Sequence, residues 1–346
     1  MSHRDRTLFA VVIGLAAVAV GLKAADIRGE FVFGAASVAL ISLAWLLGEA
    51  TDQAGNTAGP RVSALLNATF GNLPEVVIVI LAINAGLDDI ARASIIGSVI
   101  GNILLILGLS LVVGGWKNGV QSFNERVAGT NSSMLILGVA GLGFPTLFAA
   151  LHSSHSAEVL SRWTGTALLV SYGAYLVFSF SMPGQKFEDE AGQARWSVTE
   201  AIAALAVTAV ATGIVSEVLV DSIKPTVEQL GVPRAFVGLI LIPFVGNVAE
   251  HFSAVRLAYR NRVDFSMAIA YGSGIQIVLG ASGIAVFASI LLGSELSLVF
   301  DPFQLAALGA AALVATLVAR GGETNWLEGL QLLVIYLIVS VAVWLQ

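Results

Sequence analysis

Polar residues in this chain come in short clusters that separate long apolar runs, and within the runs apolar and polar positions do not alternate. Eleven runs stand out, at residues 7–23, 31–49, 60–86, 92–115, 131–150, 163–181, 198–221, 234–259, 265–293, 302–319 and 327–345. As helices rising 1.5 Å per residue, runs of about 18 residues or more can cross a hydrocarbon layer roughly 30 Å thick. The pattern predicts an all-α integral membrane protein of about eleven transmembrane helices.

Composition agrees. Of 346 residues, 57% are apolar and 12% charged, against roughly 25% charged in a soluble domain. The 36 glycines fall mostly inside the runs, where small residues let helix backbones approach closely. The first run lacks the small-residue cleavage site of a secretory signal and is predicted to be a helix. The chain contains no cysteine, which excludes a disulfide framework, a thiolate metal site and a cysteine nucleophile.

Charge in the loops sets the orientation. Arg4, Arg6, Arg61, Lys117, Arg126, Lys186, Arg195, Arg256, Arg260, Arg262 and Arg320 fall on one side, and Lys23, Arg28, Arg92, Arg162, Lys224 and Arg234 on the other. The richer side is expected to be cytoplasmic and to hold the N-terminus; an odd helix count then puts the C-terminus outside the cell membrane. The net charge of -6 sits in short loops and at a few intramembrane positions, so it identifies no partner. The lipid bilayer is the expected surrounding, nucleic acid is not an expected partner, and the oligomeric state stays open, a homo-oligomer included.

The chain also repeats itself. Gly71-Asn72-Leu73-Pro74-Glu75 aligns with Gly246-Asn247-Val248-Ala249-Glu250 at an offset of 175, and Gly97-Ser98 then falls on Gly272-Ser273. Glu49 and Glu217 both lie near the end of the preceding run. The expected organisation is an extra helix in residues 1–30, a five-helix unit in 31–181, an acidic cytoplasmic linker in 182–197 and a second five-helix unit in 198–346. An odd number of helices per unit turns the second copy over, giving two inverted repeats with a binding site between them near the membrane midplane.

Glu75 and Glu250 lie within apolar runs, where a carboxylate is costly and functional by default. Positions three apart share a helix side, so Asn72 joins Glu75 and Asn247 joins Glu250. Pro74 and Pro243 lack an N–H and free the carbonyls of Phe70 and Leu239. Carboxylate, amide and carbonyl oxygens suit Ca2+ far better than Zn2+, and two carboxylates balance its charge. Such carboxylates also bind protons, so cation and proton compete for one site, which is sufficient for antiport. Ser98 with Asn102, and Ser273 with Gln276, are candidates to complete the shell. Glu49, Glu217 and His251 are candidates for a proton pathway.

Other signals are weaker. His152 and His155 have helical spacing for a metal pair but lack a His-Glu-x-x-His pattern, and are read as a loop. Glu188-Asp189-Glu190 is read as a solvated linker. The chain has no Gly-x-x-x-x-Gly-Lys-Ser/Thr loop, which argues against an ATP-driven pump. No cofactor is expected beyond the transported Ca2+ and H+, and no enzyme activity.

At Gly71–Glu75, Gly246–His251, Gly97–Asn102, Gly272–Ile277 and residues 160–178, the sequence resembles the cation/proton exchanger branch of the calcium/cation antiporter superfamily. The resemblance covers nearly the whole chain. It implies ten core helices with an extra one before them. It also implies that Glu75 and Glu250 bind Ca2+ and H+ in turn, surrounded by Asn72, Asn247, Ser98, Ser273 and Gln276. Sodium-coupled relatives carry Pro-Glu in both motifs and further acids on the facing helices. Here Ala249 precedes the second Glu, and Asn102 and Gln276 are neutral, which favours protons. The expected function is therefore Ca2+/H+ exchange. Na+-coupled or broader cation exchange is the first alternative, and an intramembrane hydrolase using Glu250, His251, His152 and His155 the second.

Overall fold

A computed structural model describes residues 1–58, 60–181 and 195–346. The acidic run Glu188-Asp189-Glu190 and Lys186, within the expected linker, lie outside the described residues. The fold is almost entirely helical: α1 (His3–Ala24), α2 (Gly29–Ala58), α3 (Pro60–Phe70), α4 (Leu73–Asn84), α5 (Asp88–Asn118), α6 (Glu125–Ala149), α7 (Ser154–Ser181), α8 (Val198–Leu230), α9 (Arg234–Tyr259), α10 (Val263–Leu291), α11 (Pro302–Val318) and α12 (Trp326–Trp344). A two-residue antiparallel pair, Gln121–Ser122 with Glu323–Thr324, ties the loop after α5 to the loop before α12.

Polar residues at the segment ends set several boundaries. Ser2 with Asp5, Ser197 with Glu200, and Asn325 with Glu328 form reciprocal caps at the starts of α1, α8 and α12, satisfying N–H groups that a helix leaves open at its first turn. Gly231 closes α8 at φ +63, a left-handed conformation that glycine adopts without penalty.

Among the described residues, eight helices are long and apolar enough to cross a membrane: α1, α2, α5, α6, α8, α9, α10 and α12. The chain is a multi-pass integral membrane protein. Each of the eleven apolar segments coincides with helix, with one change. The expected single helix over 60–86 is two, α3 and α4, broken at Gly71-Asn72, because Pro74 belongs in the first turn of a helix and not in its interior. α4 and α11 are shorter apolar helices.

Burial separates the centre from the rim. In α5, 83% of the most apolar stretch is buried, and in α10 67%, against 17% in α1 and 22% in α12. α5 and α9 cross at close range: a Cβ on Gly97 would stand 2.1 Å from the carbonyl oxygen of Leu239, and one on Gly238 2.7 Å from Cβ of Ala93. Nothing larger than glycine fits this crossing. α2 and α8 make the most extensive pairing in the molecule, and α1 packs against both.

Among the described residues, three wide turns of π type interrupt the central helices, at Gly101–Ile106 in α5, Val237–Leu241 in α9 and Gln276–Ala281 in α10. The first and third have equal length and lie 175 residues apart, the spacing of the two motifs. The second precedes Pro243, whose missing N–H leaves the helix one bond short there. Wide turns of this kind gather at functional sites.

Candidate functional site

The two motifs meet. Glu75 stands in the first turn of α4, just after the break at Gly71-Asn72, where unpaired N–H groups and the helix dipole favour a negative charge. Its carboxyl lies against the second motif, since a Cβ on Gly246 would be 2.9 Å from Glu75 Oε1 and 3.0 Å from its Cδ. Glu250, one turn along α9, is close enough for the two carboxyl charges to act on each other. Glu75 is 4% exposed, Glu250 is half-buried, and Oε2 of each is enclosed without a hydrogen-bond partner.

Around this pair, amides and hydroxyls tie the two motifs to the wide-turn helices. Asn72 Nδ2 donates to Gln276 Oε1 at 2.9 Å, and Ser273 donates to Asn72 Oδ1 at 2.7 Å. On the other side, Asn102 Nδ2 donates to the Ser98 carbonyl at 2.9 Å and to Asn247 Oδ1 at 3.3 Å, while Asn247 Nδ2 donates to the Pro243 carbonyl at 2.9 Å. Each motif asparagine is thus held by a helix of the opposite half. Asn72, Ser98, Asn102 and Asn247 are almost fully enclosed, and Asn102 Oδ1 has no partner. Three enclosed oxygens, one from each glutamate and one from Asn102, are free to accept.

All eight shell candidates therefore come together, on α4 and the Asn72 cap before it, α5, α9 and α10. One expectation about the surroundings needs correction. The Leu239 carbonyl, expected as a free ligand, is pressed onto Gly97 at the α5–α9 crossing, so it is spent on packing. Glu49 pairs with Arg195, Gln53 donates to it at 2.8 Å, and Arg195 also lies 3.8 Å from Asp5. That cluster joins the start of α1 to the segment ahead of α8. Glu217 is exposed on the outer face of α8.

His251 is buried beside the ring of Phe244, 5.5 Å between centroids. His152 stacks on Phe148 at 3.9 Å in the turn before α7 and His155 faces Glu158. Among the described residues no three His, Asp or Glu side chains gather as one metal cluster. A cation held here would rest on two carboxylates and neutral oxygens, a donor set for a hard ion such as Ca2+. The cross-pairing of the asparagines had no direct sequence signal beyond the shared offset.

Fold and site together define a membrane-embedded helical protein with an oxygen-lined centre. The chain belongs to the sodium/calcium exchanger protein family, whose pattern matches residues 29–181 and 200–345. The Ca2+/H+ antiporter of Aphanothece halophytica is 35% identical over 334 residues, covering 90% of this chain and 89% of that protein. The Ca2+/H+ antiporter ChaA of Bacillus subtilis (strain 168) is 35% identical over 321 residues, covering 90% and 92%. The structure of native YfkE matches with a TM-score of 0.86 at 32% identity, covering 98% of this chain and all of that one. A crystal structure of the H+/Ca2+ exchanger CAX shares the fold, with a TM-score of 0.80 at 16% identity over 99% and 93% of the two chains. These relatives are antiporters and exchangers, and the intramembrane hydrolase weighed from the sequence has no counterpart among them.

Proposed function

We propose that the chain exchanges Ca2+ for H+ across the membrane by alternating access, with Glu75 and Glu250 as the shared seat of cation and protons. One observation carries this reading: two motif carboxyls face each other, each with an enclosed, unpartnered oxygen. Two carboxylates neutralise Ca2+, and two protons neutralise the same pair. Without either, two negative charges would be enclosed together, a form costly to move through a membrane. Only loaded forms then cross easily, which is the condition for obligatory exchange.

Asn72, Asn247, Ser98, Asn102, Ser273 and Gln276 complete the shell in this reading, and His251 borders it. The relatives named Ca2+/H+ antiporter support the substrate pair. The neutral side chains Asn102 and Gln276, where an added acid would serve Na+, favour protons as the driving ion. Two inverted five-helix units, 31–181 and 198–346, with an extra first helix, a cytoplasmic N-terminus and an outside C-terminus, complete the proposal. The shared 175-residue offset of motifs and wide turns supports the duplication.

Reconstituted vesicles test the function. A pH gradient in the absence of Na+ is expected to drive Ca2+ uptake. Strict dependence on a Na+ gradient would overturn proton coupling in favour of Na+ coupling.

A further inference from the structure

The cations of this chain are not all held in the same way. On the side where α9 begins, Lys23 pairs with Asp221, Arg28 with Glu30, Arg162 with Glu295 and Arg234 with Asp89. On the side where α9 ends, the corner formed by α1, α2 and α8 pairs Arg6 with Glu200 and Arg195 with Glu49. A second corner of that side, where α5 and α9 end and α6, α10 and α12 begin, breaks the pattern. Among the described residues, no carboxylate pairs with Lys117, Arg126, Arg256, Arg260 or Arg320. Three acids of the corner are turned to the backbone instead. Asp264 accepts from the N–H of Asn124 at 2.6 Å, Glu125 from that of Gly321 at 3.1 Å and Glu328 from that of Asn325 at 3.3 Å.

Three of the unpaired cations gather round one ring. Lys117 Nζ stands 3.5 Å over the ring of Tyr259, a favourable seat for an ammonium. Arg260 follows Tyr259 in the chain, and Arg256 lies one turn before it. α5 and α9 meet at this point: a Cβ on Gly114 would be 2.9 Å from the Ala258 carbonyl oxygen. Asn118 and Gln121 donate their amides to that carbonyl at 3.2 and 3.0 Å, and Asn118 also reaches the Tyr259 carbonyl at 3.3 Å. Neutral amides, rather than the cations, therefore cap the end of α9.

Phe252, Arg256 and Tyr259, at i, i+4 and i+7, share one side of α9 over about 10 Å of its length. Phe252 is 72% exposed and Tyr259 48%. Trp116, beside Lys117, is 78% exposed and meets Trp326 edge to face at 6.1 Å. Exposed Trp and Tyr at helix ends mark the level of the lipid headgroups, and Phe252, further along α9 toward the membrane centre, lies at acyl-chain depth. The surface is thus cationic at headgroup level and apolar beneath it, the order in which a phospholipid presents its own parts.

We propose that Lys117, Arg256 and Arg260 form a seat for the phosphate headgroup of an anionic phospholipid whose acyl chain lies along Phe252. Arginine forks and a lysine ammonium suit phosphate oxygens, and basic surface at the headgroup level selects anionic lipid. A zwitterionic lipid brings its own ammonium, which the three cations repel. Lys117 belongs to α5 and the two arginines to α9, so one lipid joins the ends of two central helices.

Native mass spectrometry of the detergent-solubilised protein tests the seat. Offered phosphatidylglycerol and phosphatidylcholine in equal amounts, the protein is expected to retain phosphatidylglycerol with about a fivefold preference. Equal retention would overturn the proposal. Lys117→Gln, Arg256→Gln and Arg260→Gln combined are expected to abolish the preference. Lys23→Gln, Arg28→Gln and Arg162→Gln combined, which remove the same charge from the other side, are expected to keep it within about twofold. A preference that survives the first set, or is lost equally in the second, would overturn the seat. Arg256→Gln alone, at an exposed position, is expected to lower the preference about twofold, and an unchanged value would count against the seat even if the triple variant failed to fold. Inorganic phosphate at millimolar concentration is expected to leave the lipid bound; its displacement would assign the cations to a free anion and overturn the lipid.

Discussion

The two Gly-Asn-x-x-Glu elements reach one place by different backbones. In the first, Pro74 sits inside the motif, the helix breaks at Gly71-Asn72, and Glu75 rides on the new first turn of α4. In the second, the proline lies seven residues ahead of the glutamate, at Pro243. The wide turn at Val237–Leu241 takes up the missing bond upstream, and the helix runs unbroken through Glu250. One carboxylate is favoured by a helix end, the other by nothing but its neighbours. Similar side chains in matching positions need not have matching electrostatics, and the pair can divide its labour accordingly.

The largest expected effect tests whether both halves are indispensable. Glu75→Gln and Glu250→Gln are each expected to cut pH-driven Ca2+ uptake by more than about a hundredfold, since each removes one of two charges balancing a divalent ion. A variant keeping a tenth of the rate would break the equivalence. Next comes the backbone. Ala249→Pro gives the second motif the proline of the first, but in an unbroken helix it costs ~3 kcal/mol or more, seen as a fall in thermal midpoint in detergent. Pro74→Ala, at a first turn, is expected to shift stability by less than about 1 kcal/mol. Equal effects would show that the two helices tolerate a break alike.

Gly246→Ala sharpens the comparison at the point of contact. Its methyl would stand 2.9 Å from Glu75 Oε1, and displacement of that carboxyl is expected to raise the half-saturating Ca2+ concentration about tenfold, or ~1.4 kcal/mol. An unchanged value would mean that the carboxyls need not touch. The smallest effect is expected at Glu49. Its partly exposed pair with Arg195 is worth about 1 kcal/mol or less, and Glu49→Gln should leave exchange within about twofold. A large loss of transport would place Glu49 on the proton route.

The sequence made the helical segments legible because lipid demands long uniform apolar runs. The same uniformity hid the break at Gly71-Asn72, since hydropathy does not register a change of helix direction. The glutamates and amides were legible because polar groups in such runs are conspicuous and recur at one offset. The pair of Glu49 with Arg195 was not legible, because the two are far apart in sequence and only the fold joins them.

The crossed amides also govern when the site can come into being. Asn72 is held by residues 201 and 204 positions later in the chain, and Asn102 reaches Asn247 across 145. During synthesis Glu75 enters the membrane long before its partners exist, and it spends that interval without Glu250, Ser273 or Gln276. The pocket is therefore a late product of assembly: it closes only once α10 has been inserted and docked. Contacts of such separation are slow to form, so the most polar place in the protein is also among the last to find its company.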